Sequence, residues 1–374
     1  MKQKKIIILG GYGNAGFFLT SILLKETNVA IILAGRNEAK VQETADQFNQ
    51  QFEGNRVKGR FADASNSTSL KKAFAGTDMV VVVSTTVKYV ENIVNVSLEI
   101  GIDYYDITPS NNKLIFLNEI SDRIRQAGRC FITEGGAVPG TPTAISRYMA
   151  SDFDNLKKIS ASLFCNIDWS TMRTVESNAI KEFLEENDIG KIKKFKKGKW
   201  TELGLLQSIL GIKTINFGKE IGSRYCLQFE FLEESKYLPE KYPSLEEFSF
   251  YSSIRYLSGY YNPIVEYLSL VFPFLKHVPG FIYWRINKKK PPFGGGMRVE
   301  LFGEKNGKQK NQEAIIYHEH VYKFTVIPVV ACLQQYLDGA IEPGLHFQAL
   351  AVEPNRFMKD LEKMGITVRK QNIQ

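Results

Sequence analysis

The run Ile6-Ile7-Ile8-Leu9, followed at once by Gly10-Gly11-Tyr12-Gly13-Asn14-Ala15-Gly16, leaves this chain little freedom of fold. An apolar strand that ends in G-x-G-x-x-G and opens a stretch with Phe17, Leu19, Ile22 and Leu23 on one face is a strand–turn–helix built around a pyrophosphate. Gly11 permits the tight turn. Gly13 removes the side chain that would stand between backbone and phosphate, and Gly16 lets helix and strand pack closely. Tyr12, Asn14 and Ala15 complete the turn, and the helix start supplies N–H groups and a partial positive charge.

Downstream, short apolar runs alternate with amphipathic stretches, which predicts strands feeding crossover helices in a parallel sheet. The runs are Ile6–Leu9, Val29–Leu33, Arg56–Phe61, Met79–Val83, Tyr104–Ile107 and Cys130–Thr133. Between them, Ala15–Lys25, Glu38–Gln51, Ser69–Ala75, Val90–Ile100 and Leu114–Ala127 read as helices. After Pro139-Gly140 the texture changes. A helix over Thr143–Ala150 leads into longer alternating strands at Lys158–Cys165, Arg224–Phe231, Arg298–Phe302 and Ala314–Val321. Helical patterns return at Ile327–Leu337 and Arg356–Met364. The expected fold is α/β, a Rossmann-type parallel sheet plus a second α+β domain with a mixed or antiparallel sheet. The expected division is 1–140 for dinucleotide binding, 141–330 for substrate and dimerisation, and 331–374 for a helical return to the first domain.

The second strand ends in Ala34-Gly35-Arg36-Asn37, where dinucleotide folds place the group that reads the adenosine ribose. An acidic residue there would take the 2′-hydroxyl of NAD, whereas the fork of Arg36 matches the 2′-phosphate of NADP. NADP is therefore expected over NAD, with stacking of Arg36 on adenine as the other reading. Asn37 adds a hydrogen-bonding group. Asp63, just past the third strand, either meets the adenine amino group or serves the turn before Asn66-Ser67.

With strands in the order 3-2-1-4-5-6, the nicotinamide lies beyond the ends of strands four to six. Ser84 and Thr85, the Asp106–Thr108 segment and the glycine-proline loop around Gly136 are expected to line it. Tyr105, Asp106 and Glu134 are the proton-transfer candidates by position. The only Tyr-x-x-x-Lys spacing, Tyr237–Lys241, contains Pro239, so the catalytic helix of short-chain dehydrogenases is absent. His318 and His320 would share a strand face, but no third ligand sits at a telling spacing, so no metal site is expected.

Charge and composition narrow the partners. A net charge of +8 suits a phosphorylated ligand without demanding nucleic acid, and the lysine run Lys191–Lys199 has only Ile192, Phe195 and Gly198 between its charges, no platform for stacking bases. Cys130, Cys165, Cys226 and Cys332 form no Cys-x-x-Cys pair, which fits a reducing cytosol. The aromatic and aliphatic stretch Tyr260–Trp284, followed by Lys288-Lys289-Lys290, reads as a packed helix pair or dimer face, as a lid over an acyl chain, or as a peripheral membrane contact through 260–290.

Four segments, Ile6–Gly16, Leu33–Asn37, Gly101-Ile102-Asp103-Tyr104-Tyr105-Asp106 and the Gly135–Gly140 loop, in this order, resemble the saccharopine dehydrogenase-like oxidoreductases. The likeness covers the first 150 residues and touches the chain again at Glu353-Pro354-Asn355-Arg356-Phe357. The resemblance implies an NADP-binding Rossmann domain, an α+β second domain and hydride transfer to or from a C=N, C=C or C=O bond of a small-molecule or lipid-linked substrate. An amino-acid substrate would need carboxylate-binding arginines, for which Arg147, Arg173 and Arg298 are available. The alternative is a dinucleotide-binding sensor or lipid-surface scaffold without turnover. A cytoplasmic homodimer is expected in either case.

Overall fold

The computed structural model describes residues 3–172, 192–204, 207, 210–228, 232–253 and 291–373. The chain divides into two compact units: Met1–Thr141 with Thr325–Met364 belongs to the first, and Pro142 onward to Phe324, with Gly365–Gln374, chiefly to the second. The segments 173–191 and 254–290 lie outside the described residues, and with them Arg173, the Tyr260–Trp284 stretch and Lys288–Lys290.

The first unit alternates strand and helix: β1 Lys5–Leu9, α1 Asn14–Glu26, β2 Ala30–Gly35, α2 Glu38–Gln51, β3 Val57–Phe61, α3 Ser67–Phe74, β4 Met79–Val82, α4 Val90–Ile100, β5 Asp103–Asp106, α5 Asn111–Glu119, α6 Ser121–Gln126 and β6 Cys130–Thr133. The predicted helix 114–127 is two helices, because Ile120 leaves helical geometry at φ −102°, ψ 8°. The strands are parallel in the order β3-β2-β1-β4-β5-β6, the expected 3-2-1-4-5-6. Helices cover both faces of such a sheet, so β1 beyond Lys5 and all of β4 are apolar: Ile6, Ile7, Ile8, Val80 and Val81 are fully buried.

In the second unit, α7 Thr141–Ala150 leads into β7 Asn155–Asn166, and the strands β8 Lys193–Lys196, β9 Lys199–Glu202, β10 Lys213–Asn216, β11 Ser223–Gln228 and β12 Glu247–Ser253 follow, then β13 Gly294–Lys305 and β14 Lys308–His318. With β16 Thr367–Asn372 these eight strands form a nine-stranded mixed sheet in which, among the described residues, only β12 and β7 run parallel. The lysine run becomes the β8–β9 hairpin, whose Phe195 is buried while Lys196, Lys197 and Lys199 face solvent.

Past β14, α8 Val321–Leu337, β15 Gly344–Phe347 and α9 Pro354–Lys363 follow, and β15 adds a seventh parallel strand beside β6. This strand escaped sequence reading because four residues, one of them His346, carry no alternation to detect. The expectation that 331–374 returns as a whole to the first domain needs correction at its end. β16 Thr367–Asn372 pairs antiparallel with β14 in the second sheet, where Arg369 pairs with Glu220 at 2.6 Å and Gln371 donates to Glu313 at 2.6 Å. Among the described residues, no helix is long and apolar enough to cross a membrane.

Candidate functional site

The strand order reverses direction between β1 and β4, and in a parallel sheet this switch point opens the crevice where a dinucleotide lies. The glycine turn stands at its mouth. Gly10, at φ +87°, donates to Ala34 at 2.9 Å and accepts from Gly13 N–H at 3.0 Å. A Cβ on Gly10 would lie 2.8 Å from Ser84 Cβ, which shows how closely the loop after β4 approaches the end of β1. Gly16 is tighter still: its Cβ would fall 2.2 Å from Gly10 O and 2.7 Å from Gly11 Cα. Packing of α1 onto its own turn thus requires glycine at 16.

What the turn presents is a bare helix start. Gly13 precedes α1 in extended geometry without a side-chain cap, and the first turn holds no acidic residue. By contrast, Asn37 caps α2, Asn66 caps α3 and Ser110 caps α5 with side-chain oxygens. A helix start with neither cap nor carboxylate leaves its donors and dipole for an anion. Tyr12 is half-buried and closes the turn against β2: a Cβ on Gly35 would meet Tyr12 Cε1 at 2.4 Å. Sequence reading had no signal for this contact, since only the fold brings residues 12 and 35 together. Asn14 is buried at the first helical position and Ala15 half-buried beside it.

Beyond Gly35, Arg36 is exposed and makes no hydrogen bond or ion pair among the described residues. Its guanidinium helps to hold the Asp63 carboxyl below the usual range, although the two hydrogen bonds from Ser65, to the backbone N–H at 2.9 Å and from the hydroxyl at 2.7 Å, do more. Both bonds fall on Asp63 Oδ1 and form the turn before Asn66. Asn37 spends its Oδ1 on Lys40 N–H at 3.0 Å as the cap of α2. On this side of the crevice, Arg36 is the group left for a 2′-phosphate.

At the other end, Ser84 and Thr85 are half-buried after β4, and Ser84 Oγ lies 3.0 Å from Thr86 Oγ1. The three proton-transfer candidates are withdrawn from solvent: Tyr105 is 0%, Asp106 1% and Glu134 4% exposed. Tyr105 donates to Gln348 Oε1, and burial raises its phenol well above the ordinary value. Asp106 pairs with Lys113 Nζ at 2.5 Å and accepts from Thr133 Oγ1 at 2.8 Å. Gly136 is likewise engaged, its N–H with Gln348 Oε1 at 2.9 Å and its carbonyl with Gln348 Nε2 at 3.2 Å and Thr141 Oγ1 at 2.7 Å. Lys113 and Gln348 were invisible to sequence reading: each is a polar residue buried because a partner waits elsewhere in the fold. For Tyr105 this arrangement predicts a structural cost. Tyr105→Phe should lower unfolding free energy by about 1 kcal/mol in a urea titration, leaving NADPH affinity unchanged; undiminished stability with lost cofactor affinity would contradict it.

The histidine pair does not form the shared strand face expected of it. β14 ends at His318, and His318 Nδ1 accepts from His320 N–H at 2.9 Å. Burial pushes His318 down to about 4. Among the described residues no group of three His, Cys, Asp or Glu could hold a metal ion.

A glycine turn at the switch point, a bare helix start and a free arginine past the second strand define a dinucleotide-binding domain. Residues 6–129 match the family model of the saccharopine dehydrogenase NADP binding domain. The fold is similar to that of apo histidine-tagged saccharopine dehydrogenase (L-Glu forming) from Saccharomyces cerevisiae, at TM-score 0.70 and 13% identity over 99% of this chain and 100% of that one. Further similar structures are a substituted meso-dapdh from Clostridium tetani E88, at TM-score 0.46, 12% identity and 96% and 99% coverage, and GenD2 from gentamicin A biosynthesis, at 0.45, 10%, 100% and 97%. No curated protein matches the chain by sequence. Residues 6–129 are thus similar to the NADP-binding domains of saccharopine dehydrogenases, and the chain as a whole shares the fold of that enzyme.

Proposed function

We propose that the protein is an NADP-dependent oxidoreductase that transfers hydride to or from a C=N, C=C or C=O bond of a small-molecule or lipid-linked substrate. The observation that carries this reading is the uncapped, acid-free start of α1 behind Gly11–Gly16, with Arg36 unpaired at the adenosine end. NADPH, when bound, supplies the hydride. The chain's part is to seat the pyrophosphate on the N–H groups of the turn, to grip the 2′-phosphate with Arg36 and to bring the loops after β4, β5 and β6 to the ring.

The substrate is not one that Arg298 holds by a carboxylate. Its Nη2 lies 2.6 Å from Glu313 and 2.9 Å from Glu300, and its Nη1 donates to Asn216 O at 3.2 Å, so its charge is already answered. The burial of Tyr105, Asp106 and Glu134 favours a second reading, a dinucleotide sensor without turnover. Incubation of the protein with NADPH and a panel of imines, enoyl thioesters and ketones separates the two. Loss of absorbance at 340 nm with at least one class of acceptor is expected; saturable NADPH binding with no oxidation across the panel would establish the sensor instead.

A further inference from the structure

We propose that the Asp106–Lys113 ion pair positions the nicotinamide end of the cofactor crevice, with Lys113 as the residue that holds the loops after β5 and β6 in place. The inference rests on the reading of the first unit as NADP-binding.

Lys113 stands in the first turn of α5, its side chain 1% exposed. A cation there is opposed by the positive end of the helix, and a buried ion pair gains little stability over apolar side chains of similar size. Packing alone therefore gives no reason for a lysine. What an apolar pair cannot do is aim polar backbone. Lys113 Nζ donates to Asp106 Oδ1 at 2.5 Å and to the carbonyl of Thr108. Asp106 Oδ1 in turn accepts from Thr108 N–H at 3.2 Å and Glu134 N–H at 3.4 Å, Oδ2 accepts from Thr133 Oγ1 at 2.8 Å, and the Asp106 carbonyl accepts from Gly135 N–H at 2.9 Å.

One ion pair thus joins the end of β5, the 107–110 loop and the end of β6 at Thr133 and Glu134, and the main-chain bond from Gly135 to Asp106 lies beside it. The turn at 134–135 needs holding: Glu134 sits at φ +53°, where a side-chain-bearing residue is disfavoured. In the sheet, β5 and β6 lie on the β4 side of the switch point, away from β2 and Arg36. Their C-terminal loops therefore face the end of the dinucleotide farthest from the 2′-phosphate. Lys113 does not touch the cofactor; it acts through Thr108 and, by way of the Asp106 carboxylate, through Thr133 and Glu134.

The test compares the double variant Asp106→Asn/Lys113→Met, which leaves no unpaired buried charge, and the single variant Lys113→Met with the unaltered protein. Calorimetry follows 2′,5′-ADP, which probes the adenosine half alone, and fluorescence follows NADPH, whose emission reports the surroundings of the reduced ring. For the double variant, 2′,5′-ADP affinity should stay within about threefold while NADPH affinity falls about tenfold and bound NADPH emits like the free nucleotide. The single variant should show the same pattern with a lower unfolding temperature. Unchanged NADPH affinity and emission, or equal losses for both ligands, would overturn the proposal. So would failure of both variants to fold, since the pair would then serve the whole domain. An unaltered protein that binds neither ligand would instead refute the NADP-binding reading itself.

Discussion

Gly16→Ala should abolish NADPH binding and destabilise the first domain by about 3 kcal/mol, at the upper end of overpacking costs. The added Cβ would lie 2.2 Å from Gly10 O and 2.7 Å from Gly11 Cα. Both atoms are backbone, so no side chain can turn aside to make room. Relief requires α1 to move off the turn, and the phosphate-facing N–H groups move with it. Gly13→Val is the informative companion. Gly13 sits at φ −71°, ψ 172°, extended backbone open to any residue. That variant should keep the fold and lose the dinucleotide, because its bulk stands where the pyrophosphate would lie. Thermal unfolding together with an NADPH titration separates the two effects; normal NADPH affinity in either variant would remove the turn from the site.

Arg36→Glu should weaken NADPH binding about a hundredfold while leaving NADH binding unchanged or tighter. A charge-assisted hydrogen bond to an ionised group is worth ~1.5–3 kcal/mol, and a carboxylate facing the 2′-phosphate adds repulsion. NADH carries a hydroxyl there, which a carboxylate accepts from. Arg36 is exposed and hydrogen-bonds to none of the described residues, so the substitution should leave the unfolding temperature nearly unaltered. Equal losses for both nucleotides would assign Arg36 to stacking on adenine.

The cofactor half of the site was legible because its signals are local. Ile6–Gly16 announces strand, turn and helix within eleven consecutive positions, and Arg36 follows at the spacing a βαβ unit imposes. The strand order is the one that the dinucleotide-binding motif implies; alternation and handed crossovers alone fit other doubly wound orders as well. The hydride end was not legible. Tyr105, Asp106 and Glu134 fall at strand ends, and position along a strand does not tell whether a side chain meets solvent or a partner. Gln348 takes Tyr105, and Lys113 takes Asp106. Gln348 lies 243 residues from Tyr105, a pairing that no local pattern encodes. Asp63 and Asn37 show the same limit at short range: each has a cofactor-facing and a turn-forming use, and Ser65 and Lys40 N–H take Asp63 Oδ1 and Asn37 Oδ1 for the turn. In the second domain, Arg298 was available by composition and is spoken for by Glu300 and Glu313 across β13 and β14.

The most direct test of the central claim is a calorimetric titration of the unaltered protein with NADPH and, separately, NADH. A site built from the Gly11–Gly16 turn and Arg36 binds one NADPH per chain, at least about tenfold more tightly than NADH. Equal affinity for the two nucleotides would contradict the role given to Arg36, and no heat with either would contradict the cofactor site as a whole.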